Sequence, residues 1–184
     1  MQKEWFILLV TVLQYLFHKH TTAEKEKEKS DCPGTDESPQ VPKTSTNSTL
    51  PRGLRNNNPL NIRHNSDTFQ GEIKGTDKAF KTFSCMPYGY RAGFVILHTY
   101  LMRGENTIAK IVSRFAPPIE NDTGKYIEFV ENHSGISRHK ELRATDGSDY
   151  ILIVSAMSFM ENGKNADISE IKAGCNLQSK IVMR

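Results

Sequence analysis

The chain of 184 residues has no apolar run of 18 or more, which excludes a polytopic membrane protein. It has no concentrated basic stripe either. Lys and Arg total 24 against 21 acids, a formal net charge of +3 and too weak an excess to argue for nucleic acid as a partner. Its cysteines, Cys32, Cys85 and Cys175, are an odd number without metal-ligand spacing, which argues against a disulfide scaffold and a zinc site. Cys85 and Cys175 read as small buried thiols. His64, His98, His133 and His139 show no paired metal spacing, so neither a metal nor a cofactor is expected. Aromatic residues are missing between Phe17 and Phe69, and there the chain is also poor in apolar residues of any kind.

What is present divides into three parts. Residues 1–23 carry one apolar stretch, Trp5 to Phe17, flanked by Lys3 and Lys19. Its 13 residues span about 20 Å as a helix, short of a bilayer's ~30 Å hydrocarbon core but within the length of an export-signal core. No small-x-small cleavage site follows. The segment reads as an uncleaved anchor or export signal, the alternative being an amphipathic helix docked on the domain. Such a segment would bring a membrane in as a partner and place the protein in the cell envelope. Residues 24–51 begin with alternating Glu and Lys and continue in Ser, Thr, Pro, Asp and Asn. They cannot bury enough apolar surface to offset their ordering entropy and are expected to be a linker. Treated as a flexible coil, these 28 residues would span roughly 30 Å.

Residues 52–184 show helical periodicity in five places. The spacing predicts a helix over Tyr90 to Arg103 stopped by Gly104, and a short one capped by Thr107 with Ile108, Ile111, Val112 and Phe115 on its apolar face. Pro117-Pro118 ends the second, because proline cannot donate a backbone hydrogen bond. A third should start near Asp122 or Thr123 and carry Tyr126, Ile127 and Val130. Asp149 should cap a fourth over Tyr150 to Met160, and Asp167 should open a fifth that closes around Gly174. Between Ile62 and Phe83 only a small hairpin is expected. The fold class is therefore mainly α, in one domain.

Two stretches carry a resemblance. They are Arg52-Gly-Leu-Arg-Asn-Asn-Asn-Pro-Leu-Asn-Ile-Arg63 and Arg114-Phe-Ala-Pro-Pro-Ile-Glu-Asn-Asp-Thr-Gly-Lys-Tyr126. With Phe80 to Phe83 and Tyr88 to Ala92 between them, they resemble a family of phage and prophage virion proteins with RGxRNNNPxNIR and APPxENxTxxY motifs. The same order is more distantly similar to bacterial cell-wall glucosaminidases of the lysozyme-like superfamily. Those enzymes place a catalytic glutamate on a helix before this block, where this chain has its linker. However, Ala156-Met-Ser-Phe-Met-Glu-Asn-Gly163 resembles the helix-ending Glu-Ser-Gly of lytic transglycosylases. The resemblance implies a lysozyme-like helical domain over 52–184, circularly permuted so that the glutamate helix lies on the C-terminal side.

Breaking a glycosidic bond near neutral pH needs a general acid of raised pKa. Glu161 follows an apolar stretch at a helix C-terminus, where the negative end of the dipole disfavours ionisation. It is the first candidate acid. Glu120 precedes a helix start, where its charged form is favoured, and is the second; Glu72, in a loop, is a minor third. Asn56, Asn57, Asn58, Asn61 and Arg63, with Tyr88 and Tyr126, are the candidates for lining a saccharide groove, and Tyr90 shares that reading; these tyrosines read equally well as core. Asn56 to Asn58 and Arg63 are expected beside Glu161. Two functions follow. One is a peptidoglycan-active domain of phage or prophage type that cleaves β-1,4 glycan links, as a hydrolase or lytic transglycosylase. The other is a non-catalytic phage structural or cell-wall-binding protein, located in the virion if phage-encoded. The sequence fixes no oligomeric state.

Overall fold

The computed structural model describes Cys32 and residues 49–119, 122–143 and 147–182. The apolar segment and nearly all of the expected linker lie outside the described residues, as does Glu120. Among the described residues no helix is long and apolar enough to cross a membrane.

The order of elements is α1 (Arg52–Arg55), β1 (Glu72–Ile73), β2 (Thr82–Phe83), α2 (Met86–Met102), α3 (Ile108–Phe115), α4 (Thr123–Ser134), α5 (Ser148–Asn162) and α6 (Ile168–Val182). The fold is mainly helical, as the periodicity predicts. The two short strands pair antiparallel, Glu72 opposite Phe83 and Ile73 opposite Thr82, and an isolated bridge joins Arg63 to Phe80.

Helix α3 is capped as expected: the Thr107 hydroxyl accepts from the Lys110 backbone N–H at 3.3 Å. Asp122 does the same for α4, accepting from Lys125 at 3.1 Å. Thr123 then donates its hydroxyl to the Ala116 carbonyl at 2.6 Å, which ties the start of α4 to the end of α3. The other boundaries depart from expectation. Helix α2 begins four residues early because Pro87 sits in its first turn, where a missing N–H costs nothing. Helix α5 has Gly147 at its cap, and Asp149 lies inside the first turn, paired with Lys140 at 2.7 Å. Gly174 does not stop α6. It lies against α2, where a Cβ would come within 2.6 Å of Tyr90 Cβ and 2.8 Å of the Pro87 carbonyl oxygen. The glycine is there for close helix approach.

One apolar core runs through these elements, with Phe83, Tyr90, Phe94, Leu97, Ile111, Tyr150, Ile153, Met157 and Ile171 fully enclosed. Burial pushes the Tyr90 and Tyr150 hydroxyls up to about 12. Cys175 is a buried thiol outside any disulfide, as expected, but Cys85 is disulfide-bonded, and so is Cys32. An odd cysteine count excludes only complete pairing, and that is where the sequence reading failed.

Candidate functional site

The loop after α1 is built by asparagines. Asn57 and Asn61 both take the left-handed backbone (φ 48°), which Asn tolerates better than other non-glycine residues. Asn58 is completely buried. Its amide donates to the carbonyls of Ile62 and Lys81 at 2.9 Å each, and its side-chain oxygen accepts from the Ile62 N–H at 2.8 Å. Asn57 donates to the Phe83 carbonyl at 3.0 Å and Asn56 to Asp77 at 2.9 Å. Arg52 holds the same Asp77 through two bonds of 2.6 and 2.7 Å, keeping that carboxyl well below the usual carboxylate range. The side chains of Asn56 to Asn58 therefore bind the loop to the hairpin. The expectation that they stand beside Glu161 is corrected: the amides of Asn57 and Asn58 are spent on backbone carbonyls and that of Asn56 on the Asp77 carboxylate, and none of the three lines the space in front of Glu161.

Asn61 points the other way. Its amide donates to Glu161 Oε2 at 2.9 Å, across 100 residues of sequence, and the buried Tyr126 hydroxyl donates to Glu161 Oε1 at 3.0 Å. Glu161 occupies the last turn of α5, which closes on Gly163 in the left-handed region (φ 63°). The carboxyl is half-buried, and burial raises its pKa; the bonds from Asn61 and Tyr126 oppose that rise without cancelling it. Tyr126 itself is pushed well above its ordinary value, by burial first and then by the adjacent Glu161 charge, so it remains a donor.

The next residue fixes the geometry. Asn162 is buried and donates to the carbonyls of Pro59 at 2.7 Å and Ser158 at 2.9 Å, clamping the end of α5 to the asparagine loop. Gly53 of α1 lies against this junction. A Cβ there would collide with Asn162 Oδ1 and come within 2.8 Å of both the Asn58 carbonyl oxygen and Asn61 Oδ1.

Glu161 opens into a cleft of about 740 Å³. Its lining combines Leu60, Asn61, Ile62, Arg63, Asn65 and Phe80 with Ile96 and Tyr100 of α2 and with Phe115, Ala116 and Pro117 at the end of α3. Among the described lining residues Glu161 is the only acid. Of the sequence candidates, Asn61, Arg63 and Glu161 line the cleft, and Tyr126 reaches it through the carboxyl it holds. Tyr88 packs against the core beneath Gly71, and Tyr90 is buried with its hydroxyl 3.1 Å from that of Ser158. Glu72 is held by Lys81, at 3.0 Å to Oε1, and by the Phe69 N–H. The sequence reading missed Tyr100 and Ile96 as lining residues, since both fit the apolar stripe of α2. Phe80, Phe115 and Pro117 were legible as parts of the quoted stretches, though not as walls.

Both resembling stretches thus meet at one carboxyl. No family model matches the chain. It is 45% identical over 129 residues to Protein P5 of Pseudoalteromonas phage PM2, an alignment that covers 67% of this chain and 79% of the relative. The chain belongs to the family of that phage protein.

Proposed function

We propose that this protein is a peptidoglycan-active, lysozyme-like domain of phage type that cleaves β-1,4 glycan links by general acid catalysis. One observation carries the reading: a half-buried carboxyl of raised pKa, held by two donors, faces a cleft lined by aromatic and amide side chains. In this reading Glu161 gives its proton to the glycosidic oxygen as the bond breaks. Asn61 and Tyr126 hold the carboxyl in place and stabilise the carboxylate left behind. The cleft offers no second acid among its described residues for a nucleophile or base. The carboxylate would then take a proton either from water, giving a hydrolase, or from the sugar's own 6-hydroxyl, giving a lytic transglycosylase. Glu120 stays the second candidate acid. The disulfide-bonded state of Cys32 and Cys85 supports an oxidising setting such as the cell envelope or the virion, with the N-terminal segment as the membrane contact.

A non-catalytic structural or wall-binding protein is the second reading. It is favoured by the fact that both Glu161 oxygens already have internal donors, as a purely structural carboxyl would. The test is incubation of the full chain with purified peptidoglycan sacculi, followed by turbidity and mass spectrometry of released fragments. The glycosidase reading expects soluble muropeptides, lighter by one water if transglycosylation operates. Intact sacculi that retain the protein in a pull-down would establish the second reading instead.

A further inference from the structure

Most polar side chains that line the cleft are already committed. Glu161 is held at both oxygens, and the Asn61 amide is spent on holding it, while the Asn61 side-chain oxygen is sealed against Gly53. Asn65 is closed on Asp67: its amide donates to the carboxylate at 3.1 Å and its oxygen accepts from the Asp67 N–H at 3.2 Å. Arg63 is engaged, in part over the Phe80 ring. That leaves Tyr100, which is half-buried and whose hydroxyl has no hydrogen-bond partner among the described residues. Burial raises its pKa, against the opposing pull of the Arg114 charge, so it stays a protonated donor at neutral pH. Expelling water from such a hydroxyl without replacing its bond costs free energy, so a ligand that fills the cleft is selected for an acceptor at this point. The neighbours of Tyr100 in the lining are apolar. Ile96 lies one turn before it on the same face of α2, and the effect of Arg114 on Tyr100 brings the end of α3, with Phe115, to its side. A carbonyl that carries a methyl group uses both the donor and these apolar side chains; a bare sugar hydroxyl uses only the donor.

We propose that Tyr100 is a specificity-determining residue: its hydroxyl donates to the carbonyl of an acetamido substituent whose methyl group packs on Ile96 and Phe115, so that the cleft selects 2-acetamido sugars over sugars with a plain 2-hydroxyl. The proposal rests on the glycosidase reading only in taking the cleft as a glycan groove. It requires binding, not turnover.

The experiment uses full-length Glu161→Gln protein, which cannot turn over its ligand by this route, and calorimetric titration with two β-1,4-linked tetrasaccharides. These are chitotetraose, with an acetamido group on every ring, and cellotetraose, with a hydroxyl in its place. Chitotetraose should bind about tenfold more tightly. Adding Tyr100→Phe, which keeps the ring, should cost chitotetraose about fivefold, the worth of one neutral hydrogen bond, and leave cellotetraose unchanged. Adding Ile96→Ala instead should also weaken chitotetraose alone, through the lost methyl contact. Melting curves of each variant confirm that it is folded before it is titrated. Equal losses for both sugars in Tyr100→Phe, or no loss for either, overturn the proposal while leaving the groove in place. Failure of both sugars to bind the parent protein removes the groove reading and this proposal together. A wild type that cleaves nothing while the Tyr100-dependent preference persists removes the general-acid reading and leaves this one standing.

Discussion

Replacing Tyr126 by Phe deletes one hydroxyl and keeps the ring, which isolates the bond to Glu161 Oε1. Losing a hydrogen bond to a carboxyl costs about 1–3 kcal/mol, the larger figure where the carboxyl is ionised. For a domain of this size that lowers the melting midpoint by roughly 3–10 °C. The pH dependence sharpens the test. Burial raises the Glu161 pKa and the tyrosine bond lowers it, so Tyr126→Phe must raise it further. A carboxyl whose folded pKa is raised contributes stability fully below the ordinary glutamate range and loses it as pH rises through the folded value. The variant's deficit should therefore be largest near neutrality. On acidification it should shrink, because a protonated acid accepts a neutral, weaker bond. Melting curves of wild type and variant from pH 4 to 8 read this directly. A deficit that grows toward acid, or none at pH 7, would refute the assigned bond. Repeating the substitution on Glu161→Gln should leave a much smaller effect.

Three further outcomes follow from the packing. Gly53→Ala should destabilise by about 1–3 kcal/mol in urea unfolding, because its methyl would enter the junction of Asn58, Asn61 and Asn162. Lys81→Met should cost about 3 kcal/mol by stranding Glu72 against a buried site, and the double variant Lys81→Met with Glu72→Gln should recover part of that loss. Thiol titration of the denatured chain should find one reactive cysteine without reductant and three after reduction.

The helices were legible because their apolar spacing and caps are local: Thr107 and Asp122 act where the sequence puts them. Errors came where tertiary contact decides. Gly174 has the signature of a stop but serves the approach of α6 to α2, and Asp149 is drawn into an ion pair with Lys140. The site was half legible. Glu161 stood out as an acid ending an apolar helix, and the asparagine loop as an unusual stretch. Which asparagine reaches the carboxyl was not readable, since Asn56, Asn57 and Asn58 differ from Asn61 only in the direction the backbone gives them. Tyr100 carried no signal of its own, for a helix face buried in a core and one lining a cleft have the same periodicity.

The central claim is that Glu161 delivers a proton to a glycosidic oxygen. The most direct measurement is the initial rate of fragment release from sacculi by full-length wild type and Glu161→Gln, alongside the amount of each protein bound. The account predicts a fall of about 10²–10⁴-fold in rate at unchanged binding. An undiminished rate in the variant would contradict it and turn attention to Glu120.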